Sequence, residues 1–278
     1  PAAGESVYIA GFSRNNAADG TFACYWKNGT QVVLTSTAAG TDASAEDIAV
    51  SGNDVYLVGG QRNPAGIYVA MYWKNGAATA LTDGTRHAYA TGVEVVGADV
   101  YIVYGEQTAA GKQQVKLWKN GTITNITDGT LNTTSSDLVV SGTDIYILGV
   151  ETAAPRTIKY WKNGVPFTIP LARTTNANFY DMAVSGGDVY TCGNEYDPTS
   201  SFSNAVYFRN NSETNLTTAA PGAVAWGGIA VNGTDVYVGG LVNLPGLISV
   251  ATVWKKGVPV TIGDGILNSN VRALAVKN

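Results

Sequence analysis

Tyr25-Trp26-Lys27-Asn28-Gly29 returns three more times with little change, as Tyr72-Trp73-Lys74-Asn75-Gly76, Leu117-Trp118-Lys119-Asn120-Gly121 and Tyr160-Trp161-Lys162-Asn163-Gly164. Two weaker copies follow, Tyr207-Phe208-Arg209-Asn210-Asn211 and Val253-Trp254-Lys255-Lys256-Gly257. A second signature, usually Asp-Val-Tyr or Asp-Ile-Tyr, keeps step at Tyr8, Tyr56, Tyr101, Tyr146, Tyr190 and Tyr237, spaced 48, 45, 45, 44 and 47 residues apart. A period of that length corresponds to one four-stranded propeller blade.

Four short strands are legible within one period. In the second, Asp47-Ile48-Ala49-Val50 reads as strand a, and Ser51-Gly52-Asn53-Asp54 turns it into strand b, Val55–Gly59. Strand c covers Ile67–Lys74, and the Asn75-Gly76 pair, which takes positive φ readily, turns it into strand d at Thr79–Thr82. Apolar residues alternating with small or polar ones suit sheets packed face to face. The chain begins at a strand b, Ser6–Ala10, and finishes with Ala273–Asn278, which matches strand a. In a ring, that last strand completes the first blade and removes the open sheet edges. The expected fold is all-β: a single six-bladed β-propeller over residues 1–278, with four-stranded antiparallel blades. It closes by one C-terminal strand joining three N-terminal ones, so loss of the last six residues should open the ring.

Composition narrows the function classes. Charged residues make up 14% of the chain and the net charge is −4, which gives no footing for nucleic acid. The apolar runs are strand-like, far below the ~20 residues of a membrane helix. Residues Pro1–Gly4 carry no basic and apolar leader, so a signal peptide is expected to have been removed. Two cysteines, Cys24 and Cys192, make neither a disulfide framework nor a zinc cluster, and fall on different blades as separate buried thiols. Sequons such as Asn28-Gly29-Thr30 coincide with turns and read first as turn chemistry.

The combination YWKNG, LTDG, IAVSG and DVY, seen here as Tyr72–Gly76, Leu81–Gly84, Ile48–Gly52 and Asp54–Tyr56, resembles a group of bacterial secreted or surface repeat proteins of unassigned function. The resemblance covers nearly the whole chain. The strand order and the turn into DVY are also similar to the NHL class of six-bladed propellers, mainly binding scaffolds with some enzymes. The YWTD propellers are a poorer match, because their Tyr-Trp pair sits on another strand. The resemblance implies a secreted or cell-surface location and carries no catalytic residues over.

The a–b and c–d turns are short and repetitive, whereas the b–c and d–a loops vary, and variable loops on a rigid scaffold are where binding residues gather. Five residues after each signature tyrosine stand Ser13, Gln61, Glu106, Glu151, Glu195 and Val242; Arg14, Arg62 and Tyr196 fall at the next position. Glu106, Glu151 and Glu195 with Arg14 and Arg62 form either an acidic and a basic side of a binding rim or simply solvated loop charges. Asp47, Asp137 and Asp181 share a column before strand a; they are weak candidates for a hard cation, with fixation of their own loops as the alternative. No cofactor is called for. Glu94 is the one carboxylate in a column otherwise filled by Ala49, Val139, Ala183, Ala230 and Ala275, placed in a water-filled channel or paired. Trp226, Phe179, Tyr180, Tyr89, Tyr196 and Phe202 stand outside the repeat pattern, as ligand-stacking faces or as local packing. His87 is the only histidine, and no G-x-S-x-G, P-loop or H-E-x-x-H pattern occurs.

The reading that follows is a binding or interaction module holding a glycan or protein on the b–c and d–a loop face, with Glu94, Glu106, Glu151, Glu195, Arg14, Arg62, Tyr180, Tyr196 and Trp226 as ligand-binding candidates. Two alternatives stand beside it: a hydrolase or lyase using acidic residues at the channel mouth, and a structural unit of a surface assembly.

Overall fold

Consecutive residues of a strand point to opposite faces of its sheet, so a Tyr-Trp pair has to serve two neighbours at once. The computed structural model uses the pair in that way. It describes residues 6–15, 20–36, 42–153, 156–172, 176–199, 202–217, 222–244, 248–263, 265, 268–271 and 274, and these contain strands and turns but no helix.

Six antiparallel sheets follow one another. The first holds β1 (Tyr8–Ser13), β2 (Phe22–Lys27) and β3 (Thr30–Val33); the second β4 (Ala43–Ser51), β5 (Asp54–Arg62), β6 (Tyr68–Lys74) and β7 (Ala77–Ala80). The third holds β8 (Ala88–Val96), β9 (Asp99–Gln107), β10 (Gln113–Lys119) and β11 (Thr122–Asn125); the fourth β12 (Thr133–Ser141), β13 (Asp144–Glu151), β14 (Thr157–Lys162) and β15 (Val165–Thr168). The fifth holds β16 (Ala177–Ser185), β17 (Asp188–Asp197), β18 (Phe202–Arg209) and β19 (Ser212–Asn215). In the sixth the first strand is split into β20 (Ala223–Val224) and β21 (Ile229–Asn232), both paired with β22 (Asp235–Leu244), followed by β23 (Ile248–Lys255) and β24 (Val258–Thr261). The chain divides into two compact units, Pro1–Leu138 and Val139–Asn278, the division falling inside β12.

Each unit repeats one packing rule. In unit 1, Tyr56 and Tyr72 of the second sheet meet Val93, Ile102 and Tyr104 of the third, while Leu57 and Trp73 meet Ala23 and Tyr25 of the first. In unit 2, Tyr146 and Tyr160 of the fourth sheet lie with Met182 and Phe208 of the fifth, and Tyr190 and Tyr207 of the fifth lie with Val238 and Trp254 of the sixth. The tyrosines face the following sheet and the tryptophan, or Phe208 in its place, faces the preceding one. Burying one such side chain is worth about 1.5–3 kcal/mol, and the period-2 pattern places one on each side of the sheet interfaces within each unit.

The two signatures recur together because they touch. Asn75 sits at φ 51° and Gly76 at 84°, the pair of positive angles a two-residue hairpin turn demands. The Asn75 side chain accepts the Val55 N–H at 2.9 Å and donates to Asp54 at 2.8 Å. Lys74 lies 3.0 Å from the same aspartate and 5.1 Å from the Tyr56 ring centroid. The arrangement is repeated by Lys119, Asn120, Asp99 and Tyr101, and by Lys162, Asn163, Asp144 and Tyr146.

Strand a is longer than its sequence suggests. β4 starts at Ala43, four residues before Asp47, and pairs Ala43–Ala45 with Gly59–Gln61 across a bulge at Glu46. The bulge recurs at Thr91 in β8 and at Tyr180 in β16. Small residues such as Ala43 and Ala45 carry little strand propensity of their own, and tertiary packing overrides it. Ser44, Glu46 and Tyr89 therefore sit on strands rather than in loops. The expected closing strand, Ala273–Asn278, lies outside the described residues except for Leu274.

Candidate functional site

The residues expected to form a charged rim are mostly engaged inside their own sheets. Glu106 lies 2.5 Å from Lys116 and Glu151 lies 2.7 Å from Lys159, each pair spanning neighbouring strands. A carboxylate tied to a lysine two strand positions away is not presented to a ligand. In the fifth sheet Val206 holds the position of that lysine, and Glu195 is fully buried between Ala177 and Asn204 in register. Arg14 follows β1 and is exposed, and Glu94 is half-buried on β8 opposite Tyr101.

The aspartate column bridges strands. Asp47 accepts the N–H of Ile48 and, across the sheet interface, that of Val93, both at 2.8 Å. Asp181 does the same for Met182 at 2.9 Å and Ile229 at 2.7 Å, and Asp137 accepts the Leu138 N–H at 2.7 Å. Asp47 and Asp181 thereby tie one sheet's first strand to the next, which accounts for aspartate beside a bulge. Among the described residues no group of three His, Cys, Asp or Glu converges as a metal site. In unit 2, Tyr180 and Trp226 meet edge to face at 6.5 Å, while Tyr180 and Tyr196 are each 36% exposed. Cys24 and Cys192 are buried in different units, and neither is in a disulfide.

The structure gathers one dense set of polar and aromatic side chains, in unit 1, at the sheet ends that carry the b–c and d–a loops. Tyr89 Oη donates to Glu46 Oε1 at 2.9 Å, Ser44 Oγ donates to the same oxygen at 2.8 Å, and the two hydroxyls also meet. Glu46 is exposed, and among the described residues both of its hydrogen bonds fall on Oε1, none on Oε2. Tyr68 Oη donates to Asp42 Oδ2, whose Oδ1 accepts from Thr21 at 2.8 Å. The Tyr68 and Tyr89 rings stand at 68° with centroids 5.8 Å apart, and His87 lies 6.1 Å from Tyr68. Arg62 donates its Nε to the Gly66 carbonyl at 3.0 Å. A cavity of about 260 Å³ adjoins it, lined by Gln61, Arg62, Asn63, Val69, Met71 and neighbouring side chains.

Glycine makes this placement possible. A Cβ on Gly60 would stand 2.1 Å from the Tyr89 ring, so the aromatic face lies against bare backbone. Burial pushes the Tyr89 phenol well above its ordinary range, with the Glu46 charge adding to the effect and the Ser44 bond opposing it. The hydrogen bond to Asp42 raises the Tyr68 phenol, and that same bond, with Thr21, holds Asp42 below the usual carboxylate range. The phenols remain donors and Asp42 remains an anion.

Sequence reasoning named Arg62, His87 and Tyr89 without joining them, and missed Asp42, Ser44, Glu46 and Tyr68. The available signal was departure from the repeat: the column of Glu46 continues as Thr91, Ser136 and Tyr180, and that of Tyr68 as Gln113, Arg156, Ser203 and Ser249.

The comparisons place the fold. The chain is similar to the sialidase of Trypanosoma rangeli at 8% identity and a TM-score of 0.52, over 89% of this chain and 52% of that one. It is similar to a puromycin-hydrolyzing peptidase of Mycobacterium tuberculosis at 12% identity and 0.57, over 93% and 45%. It is also similar to the β-propeller domain of the Trilobed protease from Pyrococcus furiosus, which has an open velcro topology, at 10% identity and 0.55, over 93% and 78%. The chain spans about half the length of the sialidase and the peptidase. No family model and no curated protein matches the sequence. The molecule is therefore an all-β repeat of antiparallel sheets, four of them four-stranded, with β-propeller neighbours.

Proposed function

We propose that the chain is a six-bladed β-propeller, closed by its C-terminal strand, that acts as a secreted or cell-surface binding module of the YWKNG repeat group and holds a glycan on its b–c and d–a loop face. The observation carrying the binding reading is the Tyr68–Tyr89 pair flanked by Asp42, Ser44 and Glu46 on that face. Aromatic rings beside fixed acceptors suit sugars, whose C–H faces stack on rings and whose hydroxyls need hydrogen-bond partners. Supporting closure, the first sheet has three strands and Ile9 is 56% exposed, whereas its counterparts Leu57, Ile102, Ile147 and Val238 are at most 1% exposed. A glycan array probed with the wild-type chain and with Tyr89→Phe tests the reading. We expect a defined set of glycans to bind the wild type and to bind the variant more weakly, because the ring stays while its hydroxyl is lost. An array with no signal would count against it.

A further inference from the structure

We infer that the glycan held at the unit-1 site is built of amino sugars carrying free amines, with an ammonium set against Glu46 Oε2 beside the Tyr68 and Tyr89 rings. This rests on the glycan reading above and adds the chemical class of the ligand.

The chain itself displays the chemistry. At each signature tyrosine a cation of the same sheet stands over the ring, as Lys74 does over Tyr56 at 5.1 Å and Lys119 over Tyr101 at 4.7 Å. The ammonium is then completed by a carboxylate beside the ring, Asp54 at 3.0 Å or Asp99 at 2.8 Å. Tyr68 and Tyr89 reproduce two parts of that three-part arrangement: ring faces and neighbouring carboxylates, Asp42 and Glu46. Among the described residues no lysine or arginine stands over either ring. Two rings at a steep angle with an acceptor oxygen at their edge form a partial cage, the geometry that attracts an ammonium through the ring quadrupoles and the carboxylate together.

The charges facing the site decide between ligand classes. Asp42 and Glu46 are anionic, Arg62 is cationic and His87 borders Tyr68. Asp42 has both oxygens occupied, by Thr21 and Tyr68, and the Arg62 guanidinium, bonded through Nε to Gly66, acts by its charge on Asp42 and Tyr68. Glu46 Oε2 remains the open carboxylate oxygen, and two carboxylates set against one guanidinium leave the site net anionic. An anionic sugar would meet it with like charge, and a neutral hydroxyl would satisfy the oxygen while leaving the rings' attraction for a cation unused.

Calorimetric titration with three tetramers tests this: β-1,4-linked glucosamine with free amines, its fully N-acetylated form, and cellotetraose. The free-amine tetramer should bind at least tenfold more tightly than the other two at low ionic strength. Glu46→Gln, which keeps a carbonyl oxygen for Tyr89 and Ser44 to donate to, should abolish the preference. Equal affinity for all three, or a preference unchanged by Glu46→Gln, overturns the amine assignment and leaves the glycan reading standing. No binding of any tetramer, together with a blank array, overturns both.

Discussion

His87, the only histidine, occupies a position that asparagine fills elsewhere. Its Nδ1 accepts the Tyr68 N–H at 3.2 Å, as Asn132 Oδ1 accepts the Gln113 N–H and Asn268 Oδ1 the Ser249 N–H, both at 2.8 Å. The acceptor caps the first N–H of strand c, and imidazole supplies it with the Nε2–H tautomer. His87→Asn should therefore leave stability within about 0.5 kcal/mol of wild type, whereas His87→Ala should cost about 1 kcal/mol, read by urea denaturation. A large loss with asparagine would deny the equivalence. Thr191 is the converse case, a polar residue where the repeat asks for an apolar one. Its hydroxyl is buried without a hydrogen-bond partner, at the position held by Leu57, Ile102, Ile147 and Val238 in sister sheets. Thr191→Val should raise stability by about 1 kcal/mol, because the desolvated hydroxyl disappears while the shape is kept. An unchanged or lower denaturation midpoint would show that the hydroxyl has found a partner. Both readings come from comparing columns of the repeat. One period read alone shows neither, since a lone histidine is unremarkable until Asn132 and Asn268 hold its place, and a strand threonine until its sister positions are all apolar.

The hairpin between strands c and d is the element that the sequence made most legible, since Asn-Gly announces its own dihedral angles. What the sequence did not announce is how the turn is locked to the start of strand b. The sixth sheet shows the consequence of losing the asparagine: Lys256 sits at φ 52° without an amide to cap the Val236 N–H and pairs with Asp235 at 2.5 Å instead. A left-handed conformation costs a lysine about 1 kcal/mol, and an exposed ion pair returns little. Lys256→Asn should therefore stabilise the chain by about 1 kcal/mol in thermal unfolding, and no gain would mean that the ion pair outweighs the strain. The same lock sets the response to acid. Lys256, then Lys255, hold the Asp235 carboxyl down to about 2, and Asp54, Asp99, Asp144 and Asp188 are lowered likewise by their Asn and Lys or Arg partners. A carboxyl whose folded pKa lies below its unfolded value of about 3.9 contributes stability that is complete above that value and fades as pH falls through the folded one. Stability should fall between about pH 4 and pH 2, and Asp235→Asn should flatten part of that slope. A slope unchanged in the variant would place the acid sensitivity elsewhere. Strand a was harder to read, because its first residues are small and its bulge breaks the alternation that marks a strand. That is why Ser44 and Glu46 went unnoticed.

At the scale of the molecule, the repeat decided the number and order of the sheets, while the proposed closure asks a segment that the repeat marks as a strand a, Ala273–Asn278, to pair across the whole length of the sequence. The exposure of Ile9 states what closure has to accomplish: covering an apolar side chain on β1 whose counterparts Leu57, Ile102, Ile147 and Val238 are packed. Burying one such side chain is worth about 1.5–3 kcal/mol, and pairing a strand along β1 would also satisfy its free backbone groups. If the proposed ring forms, deleting residues 273–278 should lower the thermal midpoint and blur a single unfolding transition into a broader one, since an opened repeat loses end-to-end cooperativity. Hydrogen exchange gives the local reading. Amides of Tyr8–Ser13 should be protected in the full chain and exchange fast in the truncated one, while those of β9 and β17 change little. Equal protection of β1 with and without the tail would mean that the tail pairs elsewhere, and the ring would have to be abandoned.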